Sequence, residues 1–401
     1  MKLSLPRADL VKALDFVART VERRSTIPIL SNVRIVAISE SLRFTATDLD
    51  AEAICRIDAK VDEPGALTVP AARLHDIVRK LDEKAQVSLA ADESSLTVKA
   101  GRARFTLQTL PVSDWPDLSP GEMPHAFTLP VATLARALQK VAFAISNEET
   151  RYYLGGVFMH VAETADGPKL RLVATDGHRL ARFETEAPEG AAKIPGIIIP
   201  RKACSELAKM AKEAPNKDAT ARISLSSSKI RVEIDHDRER LADASASDMD
   251  VVLLSKLIDG SYPDYERVIP RQNDKRAELD LEAFARAVDR VSTIASERGR
   301  AIKLEFGASE RAVGERQSEP QTGILKLSVV NADLGSASEE QEADYSAAPL
   351  EIGFNAVYLR EILGNFEGDR VRVDLNDGGS PTILTSPHDS DLLVVIMPMR
   401  V

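Results

Sequence analysis

The sequence predicts an α+β protein built as three repeated domains, each with two helices and antiparallel sheets. Three observations carry this. The stretches LPRADLVKALDFV (residues 5–17), LPVATLARALQKV (129–141) and LDLEAFARAVDRV (279–291) share one pattern: Leu, four residues, Leu or Phe, one residue, a base, Ala, Leu or Val, two residues, Val. A second set, LTVPAARL (67–74), IIIPRKAC (197–204) and IGFNAVYL (352–359), runs each time from a short apolar strand into a helix. Between them lie LTVK (96–99), RFTLQ (104–108), ISL (223–225) and IRVEI (230–234), which have the two-residue period of half-buried strands.

In chain order, Leu10, Leu14 and Val17 follow the i, i+4, i+7 spacing of one face of the first helix (6–20), and Lys12 falls off that face. The second helix (70–81) and the fourth (200–214) open at Pro70 and Pro200, which suit a first helical turn because the missing N–H has no partner there anyway. The third (130–146) and fifth (280–292) repeat the first, and the sixth (355–366) takes Asn355 as its cap. Two related turns, SDWPDL (113–118) and GSYPDY (260–265), stand near the ends of copies one and two. The domains expected are residues 1–125, 126–273 and 274–401, each within the ordinary size range of a domain.

Composition narrows the function. A net charge of −10 argues against a protein that meets nucleic acid with its whole surface. Yet the six helix windows together carry +6, so the remainder carries −16, a segregation that suits helices facing phosphates and an acidic exterior. Aromatics at 4%, with Trp115 alone of its kind, do not furnish a base-stacking platform. Cys55 and Cys204 are far apart, with no C-x-x-C and no clustered histidines, so neither zinc, a disulfide nor a cofactor is expected. No apolar run is long enough for a membrane span, and Pro6, Arg7 and Asp9 stand where a signal peptide needs an apolar core. The expectation is a cytoplasmic protein.

One motif invites an enzymatic reading. In ATDGHRLA (174–181), Asp176, His178 and Arg179 have the types of a base, an acid and an anion clamp. The alternative is a simple turn after a strand. FTATDLD (44–50) parallels LVATDGH (172–178), which makes Thr-Asp architectural and leaves Gly177, His178 and Arg179 to the middle copy alone. A hydrolase using Asp176 and His178 finds no supporting Gly-x-Ser-x-Gly, metal cluster or phosphate loop, and a sequence-specific DNA binder finds no zinc finger, bZIP or RRM pattern.

The whole chain resembles the bacterial sliding clamp family, the β subunit of DNA polymerase III. TIPIL (26–30), RYYL (151–154), ATDGHRLA (174–181), PDY (263–265) and the C-terminal MPMRV (397–401) carry the resemblance in order. It implies a non-catalytic processivity factor of DNA replication: a head-to-tail homodimer closed into a ring, helices lining the bore and sheets outside, around duplex DNA without sequence specificity. It also implies a groove for short apolar peptide motifs of the replicative polymerase, the clamp loader, lesion-bypass polymerases and repair factors. The matching groove residues are Arg151, Leu154, Thr175, Gly177, His178, Arg179, Leu180, Pro263, Arg267, Val268, Asn355, Tyr358, Val395, Met397, Pro398, Met399 and Arg400. Leu, Val and adaptable Met would supply an apolar slot, and His and Arg a polar rim. Where relatives place an aromatic at the groove edge stands Gly299, which implies a more open wall. For DNA the matching candidates are Arg24, Tyr152, Tyr153, Arg201 and Lys202, with Arg7, Lys12, Arg73, Arg136, Lys140 and Lys209 as bore-lining bases; the two tyrosines alternatively serve as core or edge aromatics. The dimer seam would set Ile77, Phe105 and Leu107 against Ile294, Glu339, Glu340 and Glu342. ASERAVGERQSEPQTG (308–323) is longer than the family's hairpin there and polar enough for a flexible loop.

Overall fold

Each repeat enters both of its helices directly from a strand. The computed structural model describes residues 1–22, 26–214, 219–234, 249–295, 300–308 and 323–400. Among them, α1 (Arg7–Val17), α2 (Ala71–Arg79), α3 (Val131–Ala142), α4 (Arg201–Lys212), α5 (Leu281–Val291) and α6 (Ala356–Leu363) follow the strands Lys2–Pro6, Gly65–Pro70, His125–Pro130, Ile197–Pro200, Lys275–Asp280 and Leu350–Asn355 without a linking residue. Every helix falls inside its sequence window. Pro70 and Pro200 are the caps rather than the first helical residues, one position earlier than expected, each closing a strand with the fixed φ of its ring. Asn355 is the cap foreseen for α6: its Oδ1 accepts from the N–H of Val357 at 3.0 Å and of Tyr358 at 3.4 Å. Asp280 caps α5 in the same way, accepting from Ala283 at 2.7 Å. In α1 the buried face is Leu10, Ala13, Leu14, Phe16 and Val17, with Lys12 exposed.

Two compact units divide the chain, and their limits do not follow the repeats: Met1–Leu138 with Ala187–Asp259, and Gln139–Glu186 with Gly260–Val401. The first unit holds two antiparallel sheets. One has the order Lys60–Glu63, Lys2–Pro6, Gln86–Ala91, Ser95–Ala100, Ala103–Gln108. The other runs His125–Pro130, Thr220–Leu225, Lys229–Ile234, Asp250–Lys256, Ala51–Asp58, Ser41–Thr47, Asn32–Ile38, Gly65–Pro70. Here Asp250–Lys256 of the middle repeat pairs with Ala51–Asp58 of the first, Val252 facing Ile54. The sheet is therefore continuous across two repeats.

The second unit uses the same device. Its strands run Gly156–Thr164, Gly167–Thr175, Arg179–Glu186, Leu392–Ile396, Thr382–Thr385, Arg370–Leu375, Lys275–Asp280, Gly335–Tyr345, Gly323–Asn331, Ala301–Ala308, Leu350–Asn355. The junction between repeats is Arg179–Glu186 against Leu392–Ile396, with Leu180 opposite Val395. That pairing brings the C-terminal residues beside the Thr-Asp-Gly-His turn. No helix among the described residues is long and apolar enough to cross a membrane.

Candidate functional site

The turn at residues 175–179 is built from its own side chains. Asp176 Oδ1 accepts from the backbone N–H of His178 at 2.9 Å and of Arg179 at 3.0 Å, and Oδ2 takes Arg179 Nε at 3.2 Å. Thr175 Oγ1 donates to the Arg179 carbonyl at 2.7 Å and accepts from Gly177 N–H at 3.1 Å. The carboxylate is thus committed to closing the hairpin, and it bonds the backbone of His178 instead of its imidazole. The base–acid pair that a hydrolase would need is not assembled.

Arg179 corrects the expected polar rim. It is 7% exposed. Its Nη2 donates to the Phe143 carbonyl at 2.7 Å, its Nη1 pairs with Glu361 of α6, and its guanidinium lies over the Tyr358 ring at 4.4 Å and the Phe143 ring at 5.1 Å. A guanidinium held this way is a brace between the hairpin and α6, with its donors spent inside the protein. His178 is the exposed member, its ring stacked on Tyr358 at 6.0 Å.

Two segments flank the turn. Arg151 makes a forked pair with Glu148, Nε to Oε2 at 2.8 Å and Nη2 to Oε1 at 2.6 Å, and Nη2 also reaches the Asp176 carbonyl at 3.3 Å. Gly177 has φ +90°, and a Cβ there would come within 2.6 Å of Arg151 Nη1, so the turn demands glycine for both its backbone and its neighbour. On the other side the C-terminal tail is laced at alternate residues: Met397 N–H donates to the His178 carbonyl and Met399 N–H to the Gly353 carbonyl, each at 2.8 Å. Met397, Pro398 and Met399 are left half-buried and Arg400 exposed.

Beneath lies a packed floor. Leu180 and Val395 form a core cluster with Val173 and Tyr265, and Leu154 is buried as well, so these three predicted groove residues support the surface from below. The turn carrying Pro263 is pinned by its tyrosines: Tyr262 stacks on Phe158 at 4.7 Å, and the Tyr265 hydroxyl meets His160 Nε2 at 2.9 Å and Arg171 Nη1 at 3.3 Å. Burial lowers the His160 pKa and raises that of Tyr265. Pro263, Arg267 and Val268 remain exposed at the rim, Arg267 paired with Asp264 at 2.8 Å. A mixed cleft of about 540 Å³ lined by Asp264, Arg267, Ile269, Pro270, Asn273 and Pro381, among others, shares only Arg267 with this set. Thr175, Asn355 and Tyr358 are half-buried beside the turn and the tail. Gly299 and residues 309–322 of the long loop lie outside the described residues, as does Arg24.

The cationic candidates separate into two groups. Lys140 is 4% exposed, its Nζ donating to Asp389 Oδ2 and the Asn365 carbonyl, both at 2.5 Å, with Glu367 at 3.0 Å. It is a buried ion pair and cannot line a bore. Arg7 donates to the Val78 carbonyl at 3.1 Å and the Arg79 carbonyl at 2.7 Å, which makes it a cap on the C-terminal end of α2. Lys12, Arg73 and Arg201 are exposed, Arg136 half-buried, Lys202 half-exposed against Asp48, and Lys209 beside Glu206 at 2.9 Å. Tyr152 is 57% exposed and meets Tyr153 edge-on at 5.8 Å.

At the expected seam, Phe105 is exposed and Leu107 half-buried on one face of the edge strand Ala103–Gln108, and Ile77 and Ile294 are half-buried. The three acids do not act together. Glu340 and Glu342 share the exposed face of Gly335–Tyr345, whereas Glu339 alternates to the other and forms a fork with Arg290 of α5, a pairing that lowers its pKa. Glu148, Phe143, Gly353 and Glu361 are site residues that the sequence does not single out. Only Glu148, three residues before Arg151, leaves a local signal.

Family models describing the DNA polymerase III beta subunit match the chain as an N-terminal domain at residues 1–119, a central domain at 128–264 and a C-terminal domain at 266–400. The beta sliding clamp of Caulobacter vibrioides is 44% identical over 403 residues and that of Escherichia coli K12 33%, with all of each chain covered. A sliding clamp from Bartonella birtlesii solved with griselimycin is similar at 43% identity and a TM-score of 0.89, again with full coverage of both chains. Related over its full length to these non-catalytic processivity factors of DNA replication, the chain belongs to the beta sliding clamp family, the beta subunit of bacterial DNA polymerase III.

Proposed function

We propose that two copies of the protein close head to tail into a ring around duplex DNA in the cytoplasm, with three domains per copy bounded near residues 125 and 273. In this reading the groove of the second unit docks the apolar-ended segments of the replicative polymerase, the clamp loader, lesion-bypass polymerases and repair factors. The observation that carries it is the lacing of Met397 and Met399 to His178 and Gly353, which leaves an adaptable apolar strip beside an exposed His178.

The seam reading is supported by two open strand edges. Ala103–Gln108 ends its sheet, and Gly335–Tyr345 pairs with Lys275–Asp280 only at Tyr345 and Asp344, so its residues 335–342 offer a second edge. Lys99, Arg102 and Arg104 near the first edge complement Glu340 and Glu342 on the second, and edge pairing between copies would cover both. Lys12, Arg73, Arg136, Arg201, Lys202 and Lys209 remain as the bore cations, with Tyr152 and Tyr153 as DNA contacts. The joint substitution Met399→Ala and Arg400→Ala is expected to abolish binding of a labelled apolar-ended peptide while the dimer survives in sedimentation. Unchanged peptide affinity overturns the groove.

A further inference from the structure

We infer that Glu148 acts as a built-in competitor for Arg151, so that this groove selects partner segments whose polar residue facing Arg151 is uncharged. The inference rests on the groove reading above and refines its specificity. A guanidinium offers a carboxylate two parallel N–H bonds along its Nε–Nη2 edge. That edge is filled: Glu148 holds both donors, at 2.8 and 2.6 Å. Nη2 spends its remaining reach on the Asp176 carbonyl. What faces the glycine of the turn is Nη1, pressed so close to Gly177 that a Cβ would collide with it. Nη1 alone suits a single neutral acceptor, such as an amide or hydroxyl oxygen.

Electrostatics points the same way. Hydrogen bonds from Arg151, together with its positive charge, outweigh slight burial and hold the Glu148 carboxyl below the ordinary glutamate range. It is therefore ionised wherever the protein is folded at neutral pH, and the cation at the rim is neutralised before any partner arrives. An incoming aspartate has to displace it, whereas an asparagine does not.

The test measures fluorescence anisotropy with the full-length protein and synthetic peptides that end in three apolar residues, carrying Asp or Asn at each upstream position in turn. Glu148→Gln is expected to shift the Asp-to-Asn affinity ratio at one position by about two- to fivefold in favour of Asp, the range of a partly exposed ion pair. Glu149→Gln removes the same charge one residue away and is expected to leave the ratio unchanged. Equal shifts in both variants, or none in Glu148→Gln, overturn the competitor role while the groove stands. Failure of every peptide to bind the unaltered protein overturns the groove reading and this inference with it.

Discussion

The turns at Thr47–Ala51 and Thr175–Arg179 are wired alike and used differently. In the first unit Thr47 Oγ1 donates to the Ala51 carbonyl at 2.8 Å and accepts from Leu49 N–H at 3.0 Å, while Asp48 Oδ1 accepts from Asp50 and Ala51 N–H at 3.0 and 2.7 Å. The same atoms of Thr175 and Asp176 make the same bonds in the second unit. Even the left-handed residue recurs, Leu49 at φ +77° and Gly177 at +90°. There the likeness ends. Leu49 turns its side chain onto the cluster of Ile29, Leu30 and Trp115, and Gly177 clears the space that Arg151 occupies. The Thr-Asp pair is hairpin architecture, then, and the two turns part at its three successors in the chain, which in the second unit are a glycine, an exposed histidine and a buried arginine.

The sharpest way to break this comparison is to exchange the left-handed residues. Gly177→Leu drives a side chain into Arg151, and peptide binding followed by fluorescence anisotropy is expected to weaken tenfold or more, a loss of about 1.4 kcal/mol or greater. Leu49→Gly in the other turn is expected to leave that affinity untouched. Next in size are Asp48→Ala and Asp176→Ala. Each strands backbone N–H groups, and urea denaturation is expected to show about 1–3 kcal/mol lost from each. Similar losses from the two would support the shared wiring.

Smaller effects sharpen the difference. Burial works to raise the Asp48 carboxyl, but hydrogen bonds from Lys202 and from the Ala51 and Asp50 backbone outweigh it and lower its pKa. A folded-state pKa below the unfolded one contributes stability that is whole above about pH 4 and is lost as the pH falls through the lowered value. Asp48→Asn is therefore expected to flatten that part of the acid unfolding curve followed by circular dichroism. Smallest is Lys202→Ala: the pair with Asp48 is half-exposed on the lysine side, so the stability change is expected to stay within about 1 kcal/mol.

How much the sequence discloses depends on distance along the chain. Helix faces such as Leu10, Leu14 and Val17 are legible because their period is local, and Thr-Asp is legible as architecture because it is written twice. Lys140 and Arg7 pass for bore cations in the sequence for the opposite reason. Lys140 finds Asp389, 249 residues away, and Arg7 finds the Val78 and Arg79 carbonyls, 71 and 72 residues away; a helix face alone cannot disclose such partners. The sheet junctions between repeats, Asp250–Lys256 on Ala51–Asp58 and Arg179–Glu186 on Leu392–Ile396, leave no local trace either. For the site, the motif locates the turn and the tail, but the burial of Arg179 and the claim of Glu148 on Arg151 emerge only from packing.

The most direct test of the account is topological. The protein is loaded onto nicked circular DNA by a clamp loader, washed in high salt, and monitored as the circle is cut. A ring predicts retention on the circle through the wash and release from the linear ends. Equal behaviour on circle and line, with salt stripping the protein from either, would show binding by phosphate contacts alone and contradict a clamp.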